Sequence, residues 1–340
     1  MTVFSYYFEM AKRVQPLKAA PKVWNYVKFK KCKRQTRMCV RRYTPQIGAL
    51  LVTMRCNLNC GYCSIGETLS KTKGSWRDYE ATLEKVQRIF ENPLFANCIL
   101  LDLLGGEPLL VEELDRIVAY LSRRGHLINT STNGILLSER IADLKRAGIS
   151  RINVSLYDAN RAVLERDINN INRIFPVHVS YVLLRSQVER KPEAIIETTR
   201  FAKDAGCLSM RFFMYRPMGT NPNIGEIITD ANPAFIELKA RMESAFPGFC
   251  LWPAPVKVGK VEKLCPQLWQ RIGCDASGNM VVCCGVEDMS KGLNSNLFDG
   301  SPDDISNHPT LVGMRKLLLD PTSEPPEICK TCNLLGDPGW

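Results

Sequence analysis

Between residue 47 and about residue 217, short apolar runs alternate with amphipathic stretches, and this alternation limits the possible folds more than any other feature of the chain. The runs are "IGALLVTM", "NCILLDLLG", "HLINTSTNG", "SRINVSLYD", "VHVSYVLLR" and "SMRFFMYRP". Helical patterns lie between them: "YEATLEKVQRIFEN", "VEELDRIVAYLSRRG", "SERIADLKRAG", a stretch over roughly 160–174, and "EAIIETTRFAKDAG". Repeated β-α units with short connections imply parallel strands joined by right-handed crossovers. A closed barrel of eight units would need two more repeats than the chain supplies. The expectation is an α/β protein: an open, partial (β/α)6 TIM-like barrel with its loops gathered at the C-terminal edge of the strands.

The pattern stops near residue 219. A turn-rich connector, "RPMGTNPNIGEIITDANPAF", and one helix, "PAFIELKARMESAF", lead to a cysteine-dense region that starts at Cys265. The expected division is a basic extension at 1–44, the barrel at 45–220, a connector and helix at 221–264, and a small cysteine-rich domain at 265–340. So small a domain has too slight a core to stand without a metal.

Charge is concentrated at one end. Residues 1–42 hold twelve Lys/Arg against one acidic residue, Glu9, leaving 33 basic and 34 acidic residues in the rest of the chain. "KVWNYVKFKKCKRQTRMCVRR" interleaves Trp24, Tyr26, Val27 and Phe29 with lysines. That composition suits a peripheral helix on an anionic membrane, and equally a solvated basic extension packed loosely on the barrel. Nucleic acid finds no support elsewhere in the chain. No apolar run approaches the ~20 residues of a membrane span. The opening "MTVFSYYFEM" lacks the marks of a secretory signal, so a cytoplasmic protein is expected, peripheral at the membrane if residues 1–42 bind it. In a reducing compartment, fourteen cysteines point to metal or redox chemistry rather than to disulfides.

Three of them, Cys56, Cys60 and Cys63, stand at C-x₃-C-x₂-C spacing in "RCNLNCGYCS", directly after the first strand. Thiolates at this density suit an Fe–S cluster or zinc. A Cys₃His zinc site would need an imidazole, and His126, His178 and His308 are all remote in sequence. The spacing, with Tyr62 just before the last cysteine and "GGEP" at Gly105–Pro108 ending the second strand, resembles the radical S-adenosylmethionine (SAM) superfamily. The resemblance implies that Cys56, Cys60 and Cys63 hold three irons of a [4Fe–4S] cluster and that the fourth iron takes SAM. It further implies SAM contacts from Tyr62, from Gly105, Gly106, Glu107 and Pro108, and from Ser131 and Ser155. For the two serines, ordinary hydroxyl bonds to backbone are the competing reading. Family chemistry is reductive cleavage of SAM to a 5′-deoxyadenosyl radical, which abstracts hydrogen from a C–H bond. The electron comes from an external donor of flavodoxin or ferredoxin type.

Near the C-terminus "DASGNMVV" reads as a hairpin, and a late C-x₂-C brings Cys265, Cys283, Cys329 and Cys332 within reach of one metal. A Cys₄ zinc ribbon is one reading. The layout also resembles the SPASM and twitch extensions of radical SAM enzymes. With no cysteine between 285 and 328, the shorter twitch form fits, implying a second, auxiliary [4Fe–4S] cluster for electron transfer. The family spacing, five residues after the turn glycine Gly278, favours Cys283 over Cys284. Cys274 and Cys284 then remain as buried thiols or hydrogen-donor candidates. Cys32, Cys39, Cys98, Cys207 and Cys250 show no ligand spacing.

The expected activity is oxidation or epimerisation at a C–H bond of a sugar, aminocyclitol or lipid-linked substrate. Peptide-modifying relatives often carry a leader-binding domain ahead of the barrel, and residues 1–44 are too short for one. A peptide maturase that crosslinks or epimerises is the alternative. A non-catalytic Fe–S or zinc scaffold is a more distant one, in which "GGEP" would have no purpose.

Overall fold

The structure is a computed structural model that describes residues 22, 24, 25, 27–29, 38–60, 63, 79–217, 223–259, 263, 265–283 and 293–335. Every residue of β1 (Ile47–Thr53) is buried, as expected of a strand with neighbours on both sides and helices packed against it. The succeeding apolar runs form β2 (Leu100–Gly105), β3 (Leu127–Thr132), β4 (Arg151–Ser155), β5 (His178–Leu183) and β6 (Met210–Met214). They lie side by side in chain order and all pair in parallel.

The intervening helices are placed by apolar residues three and four apart. α1 (Leu83–Ile89) starts at Thr82, whose side chain accepts from the Lys85 amide. α2 (Leu114–Arg123) buries Leu114, Ile117, Val118 and Leu121. α3 (Leu137–Ala147) buries Leu137, Ile141 and Leu144, and ends on Gly148 at φ 93°, a conformation that glycine adopts without strain. α4 (Arg161–Ile174) buries Leu164, Ile168 and Ile171, and α5 (Pro192–Asp204) opens on a proline. These stripes meet Leu50, Val52, Leu101, Leu103, Ile128, Ile152, Val154 and Val179 in one core. Each fully buried side chain of this size is worth about 1.5–3 kcal/mol relative to exposure. The alternate residues of the same strands form the opposite face, apolar over β1 and the ends of its neighbours but carrying a polar group across β2 to β6: Asp102, Asn129, Arg151, Asn153, Ser155, His178, Ser180 and Arg211.

Three further strands extend the sheet. β7 (Cys250–Leu251) pairs in parallel with β6, inside the segment read as a connector. β8 (Arg271–Asp275) pairs in parallel with β1, and β9 (Met280–Val281) folds back on β8 as the expected hairpin, turning at Gly278 with φ 87°. Among the described residues the sheet runs β7-β6-β5-β4-β3-β2-β1-β8-β9 and does not close. The cysteine-rich segment is therefore continuous with the barrel sheet. Arg271 reinforces the junction by reaching past β1 to Asp102 at 2.7 Å.

The described part of the N-terminal segment is not loosely packed. Lys22, Asn25 and Phe29, spaced for one helix face, are buried. Lys22 Nζ donates to the Ala96 carbonyl at 3.0 Å. Asn25 exchanges two hydrogen bonds with the backbone of Thr44. Trp24 and Lys28 stay exposed. No helix among the described residues is long and apolar enough to cross a membrane.

Candidate metal centres

The chain leaving β1 carries Cys56, Cys60 and Cys63 at the C-terminal edge of the sheet, and that loop is braced from several sides. Arg55 forms a two-pronged ion pair with Glu80, at 2.7 and 2.6 Å, and also donates to the Leu110 carbonyl at 2.9 Å. Gly106 N donates to the Thr53 carbonyl at 2.8 Å, and Glu107 N to the Arg55 carbonyl at 2.7 Å. A Cβ at Gly105 would lie 2.1 Å from the Thr53 oxygen, and one at Gly106 2.0 Å from the Arg55 oxygen. Both glycines are therefore required by the close approach of the two backbones. Pro108 then opens a single 3₁₀ turn, Pro108–Leu110.

Glu107 is 1 % exposed and turns its carboxylate inward. It accepts from Thr132 Oγ1 at 2.7 Å, from the Asn133 amide at 2.7 Å and from the Leu109 amide at 3.0 Å. Burial raises its pKa, and these three donors oppose the rise. The side chain is thus a bracket between the ends of β2 and β3. The Gly106 and Glu107 amides are thus both taken up by carbonyls of the chain leaving β1.

The three thiols lie near enough to feel one another's charge. Burial, then Cys63 and Cys56, push Cys60 up to about 11. Burial raises Cys56, while the Leu58 amide, donating to its sulfur at 3.4 Å, pulls it back. The Cys63 amide donates to the Cys60 carbonyl at 3.0 Å. Three mutually repelling thiolates need a cation to hold them ionised, so the donor set fits a metal group. Among the described residues no imidazole joins them. His126 bonds the Cys98 carbonyl, His178 bonds Ser209, and His308 caps α6 (Pro309–Leu319). No three His, Cys, Asp or Glu side chains among the described residues converge on a single ion.

Ser131 and Ser155 lie half-buried on the polar face. The Ser155 hydroxyl stands 3.4 Å from Ser180 Oγ, and the carbonyl of Ser155 accepts from Asn160. Tyr62 falls outside the described residues, as does Cys284.

A second group of thiols forms where the hairpin meets the C-terminal turn. Burial pushes Cys329 up to about 12, and the charges of Cys265, Cys283 and Cys332 add to the rise, so the four lie within electrostatic reach of one another without converging on a single point. The Cys332 amide donates to the Cys329 carbonyl at 3.2 Å in a tight turn. Cys274 is absent from the group. It pairs with Leu50 in register and is fully buried in the helix-side core, on the face opposite Arg271 and Asp275. That is the position of a small packing residue.

Sequence reasoning missed the side chains that hold these groups in place. Asn57, Asn133 and Asn160 link the ends of β1, β3 and β4. Arg41 and Arg315, both buried, tie residues 39–41 to the C-terminal segment. The asparagines stand at no spacing that marks them in the sequence.

A sequence model of the radical SAM superfamily matches residues 50–221. A probable GTP 3′,8-cyclase of Aeropyrum pernix is 38 % identical over 126 residues, 34 % of this chain and 33 % of that one. The GTP 3′,8-cyclase of Acidothermus cellulolyticus is 33 % identical over 214 residues, 58 % of this chain and 57 % of that one. The chain thus spans between a third and somewhat over half of these curated relatives. In fold it resembles Streptococcus suis SuiB bound to S-adenosylmethionine, with a TM-score of 0.63 at 13 % identity, covering 84 % of this chain and 77 % of that one. The matched segment holds both the cysteine loop and the GGEP turn, and the chain belongs to the radical SAM superfamily, whose members use a [4Fe–4S] cluster and SAM.

Proposed function

We propose that this chain is a radical SAM enzyme of oxidoreductase or epimerase type that acts on a C–H bond of a sugar, aminocyclitol or lipid-linked substrate. The observation that carries the reading is the presence of two separate thiol groups on one continuous sheet. Cys56, Cys60 and Cys63 would hold the SAM-binding cluster, with one iron left for the cosubstrate. Cys265, Cys283, Cys329 and Cys332 would hold an auxiliary [4Fe–4S] cluster, its irons saturated by protein and suited to electron transfer. When bound, the first cluster and SAM supply a radical able to take hydrogen from an unactivated carbon. The protein binds, orients and keeps out water. The SAM amino group would be received by carbonyls of the Gly105–Glu107 turn, and Ser131 and Ser155 would lie along the cosubstrate.

The polar face of the sheet supplies the substrate surface in this reading. Its hydroxyl, amide and cationic groups (Ser155, Ser180, Asn153, Arg151, Arg211) suit a polyhydroxylated or phosphorylated molecule. A second reading, chemistry on a purine nucleotide, is favoured by the relatives named GTP 3′,8-cyclase and would use the same face.

Anaerobic reconstitution tests the assignment. The full chain is expected to load about eight irons and to release 5′-deoxyadenosine from SAM under a low-potential reductant. The pair Cys329→Ala and Cys332→Ala should lower iron to about four while SAM cleavage continues. Zinc in place of iron, without cleavage, would sink the proposal. Screening sugar phosphates, nucleotides and peptides for consumption separates the substrate readings.

The proposed division stays at 1–44, 45–220, 221–264 and 265–340, with an electron donor of flavodoxin or ferredoxin type. Peripheral membrane contact through residues 1–42 belongs to the same proposal, since Trp24 and Lys28 remain exposed beside the docked face. Flotation of the full chain with anionic but not neutral vesicles is the expected result, and equal behaviour with both ends the idea.

A further inference from the structure

The helices between the strands pack against one face of the sheet, and the other face carries its charge in an ordered pattern. Register fixes that pattern. Asn129 stands opposite Arg151, Asn153 opposite His178, Ser155 opposite Ser180, and Ser180 opposite Arg211. Arg151 thus lies two residues before the β4 partner of His178, and Arg211 two residues beyond the level of His178 on β6. The imidazole stands between the two arginines on a diagonal, and strand spacing and rise put their α-carbons about 16 Å apart. Burial, then Arg151 and Arg211, hold His178 down at about 3, so the imidazole is neutral and both guanidiniums act on its surroundings. Strands β3 to β6 hold no carboxylate, and Asp102 of β2 is taken by Arg271 at 2.7 Å. Between the arginines, Asn153 Oδ1 is buried with no hydrogen-bond partner among the described residues. Two residues beyond Arg211, Phe213 points to the same face and is 40 % exposed, while Met210, Phe212 and Met214 of the strand are buried.

We infer that Arg151 and Arg211 form the anion subsite of the substrate surface, taking the phosphate of a glycosyl phosphate whose ring rests on Phe213. The inference rests on the reading of this face as the substrate surface and narrows it to phosphorylated sugars, free or lipid-linked. Two cations turned toward one hollow repel each other, and an anion between them reverses the sign of that energy. Each guanidinium fork matches two phosphate oxygens. A neutral sugar would leave the charges facing one another. The flat, half-open ring of Phe213 meets the apolar C–H face of a sugar, and Asn153 Oδ1 accepts from a hydroxyl. The Ser155 and Ser180 hydroxyls, 3.4 Å apart, continue the row from Arg211 toward the strands that carry the cysteine loop.

The test is binding to the full chain, reconstituted anaerobically and dialysed to equilibrium with SAM present. Glucose 1-phosphate should bind saturably and glucose should not. Raising the salt concentration should weaken glucose 1-phosphate binding to the unaltered chain, a check that needs no variant. Arg151→Gln and Arg211→Gln should each weaken it about ten-fold or more, and Arg211→Lys should recover part of the loss, since the charge returns without the fork. Phe213→Ala should weaken glucose 1-phosphate and leave inorganic phosphate unchanged. Geranyl phosphoglucose identifies the source: tighter binding than glucose 1-phosphate marks a lipid-linked substrate, and equal or weaker binding a free one. Glucose bound as well as its phosphate overturns the inference, as does binding indifferent to salt and to both arginines. GMP bound more tightly than glucose 1-phosphate overturns the glycosyl assignment in favour of the purine reading. Absence of binding by any phosphorylated probe, in a chain that still cleaves SAM, overturns the subsite and leaves the enzyme assignment standing.

Discussion

Replacing Cys56, Cys60 and Cys63 together by alanine is expected to abolish 5′-deoxyadenosine formation while leaving the barrel folded. The loop lies outside the apolar core, and its bracing runs through groups the substitutions do not touch: the Arg55–Glu80 pair, the backbone bonds from Gly106 and Glu107, and the Asn57–Asn133 contact. Burial, with the neighbouring Cys63 and Cys56, raises Cys60 to about 11, so the apo thiols are neutral and their removal costs only partial packing. The apo variant should therefore melt close to the temperature of the apo parent. Iron should fall from about eight to about four per chain, the remainder belonging to the four-thiol group. Cleavage of SAM surviving in the triple variant would refute the assignment. Joint loss of both iron groups would instead mean that the two sites fold as one unit.

A comparably large effect, of a different kind, is expected from Arg315→Met. Arg315 has no exposed surface. Its guanidinium donates to the carbonyls of Leu268, Cys39 and Ser306 at 3.1, 3.0 and 3.0 Å, and to Asn307 Oδ1 at 3.3 Å. Arg41 lies beside it, donating to the Ser306 hydroxyl and carbonyl and to the Arg271 carbonyl. Burial depresses both, Arg41 to about 9 and Arg315 to about 10, and the charge of Arg315 adds to the effect on Arg41. Such a cation is tolerated because each guanidinium nitrogen has an acceptor. Methionine would fill much of the volume but leave the Leu268 and Cys39 carbonyls without this donor, with Ser306 and Asn307 held only by Arg41, a loss of about 3–5 kcal/mol. Lysine should not rescue it, because a single ammonium cannot reach carbonyls arranged around a planar fork. The site of damage is specific: Leu268 precedes β8, while Ser306 and Asn307 precede α6. Iron in the four-thiol group should drop selectively and the melting temperature should fall by several degrees. Full auxiliary iron and unchanged melting in Arg315→Met would show that the network contributes nothing.

What the sequence disclosed and what it withheld divide along a physical line. Strands β1 to β6 were readable because each is an apolar run between turn residues, and their helices because apolar residues recur at three and four. The loop cysteines and GGEP were readable because their spacing is local. β7 has only two residues, too few for any periodicity. β8 reads "RIGCD", with Arg271, Gly273 and Asp275 on one face, and nothing in that pattern announces a partner more than two hundred residues away. A buried arginine such as Arg315 looks in sequence like a solvated one, since burial of a cation depends on acceptors contributed by other segments. The same holds for Asn133, whose partners Asn57, Glu107 and Asn160 come from three other parts of the chain. The N-terminal segment shows a related limit. Its composition suggested loose packing or a membrane, yet Lys22, Asn25 and Phe29 dock against the barrel.

The pairing of β8 with β1 also imposes an order of assembly. Ile47 meets Arg271 across 224 residues of sequence, so the strand that leads into the cysteine loop acquires its outer neighbour only when most of the chain has been synthesised. Until then β1 is an open, wholly apolar edge, the kind of surface that recruits other strands. Contacts so distant in sequence form slowly. Pairing of β8 therefore both completes the sheet and closes the edge beside the cysteine loop.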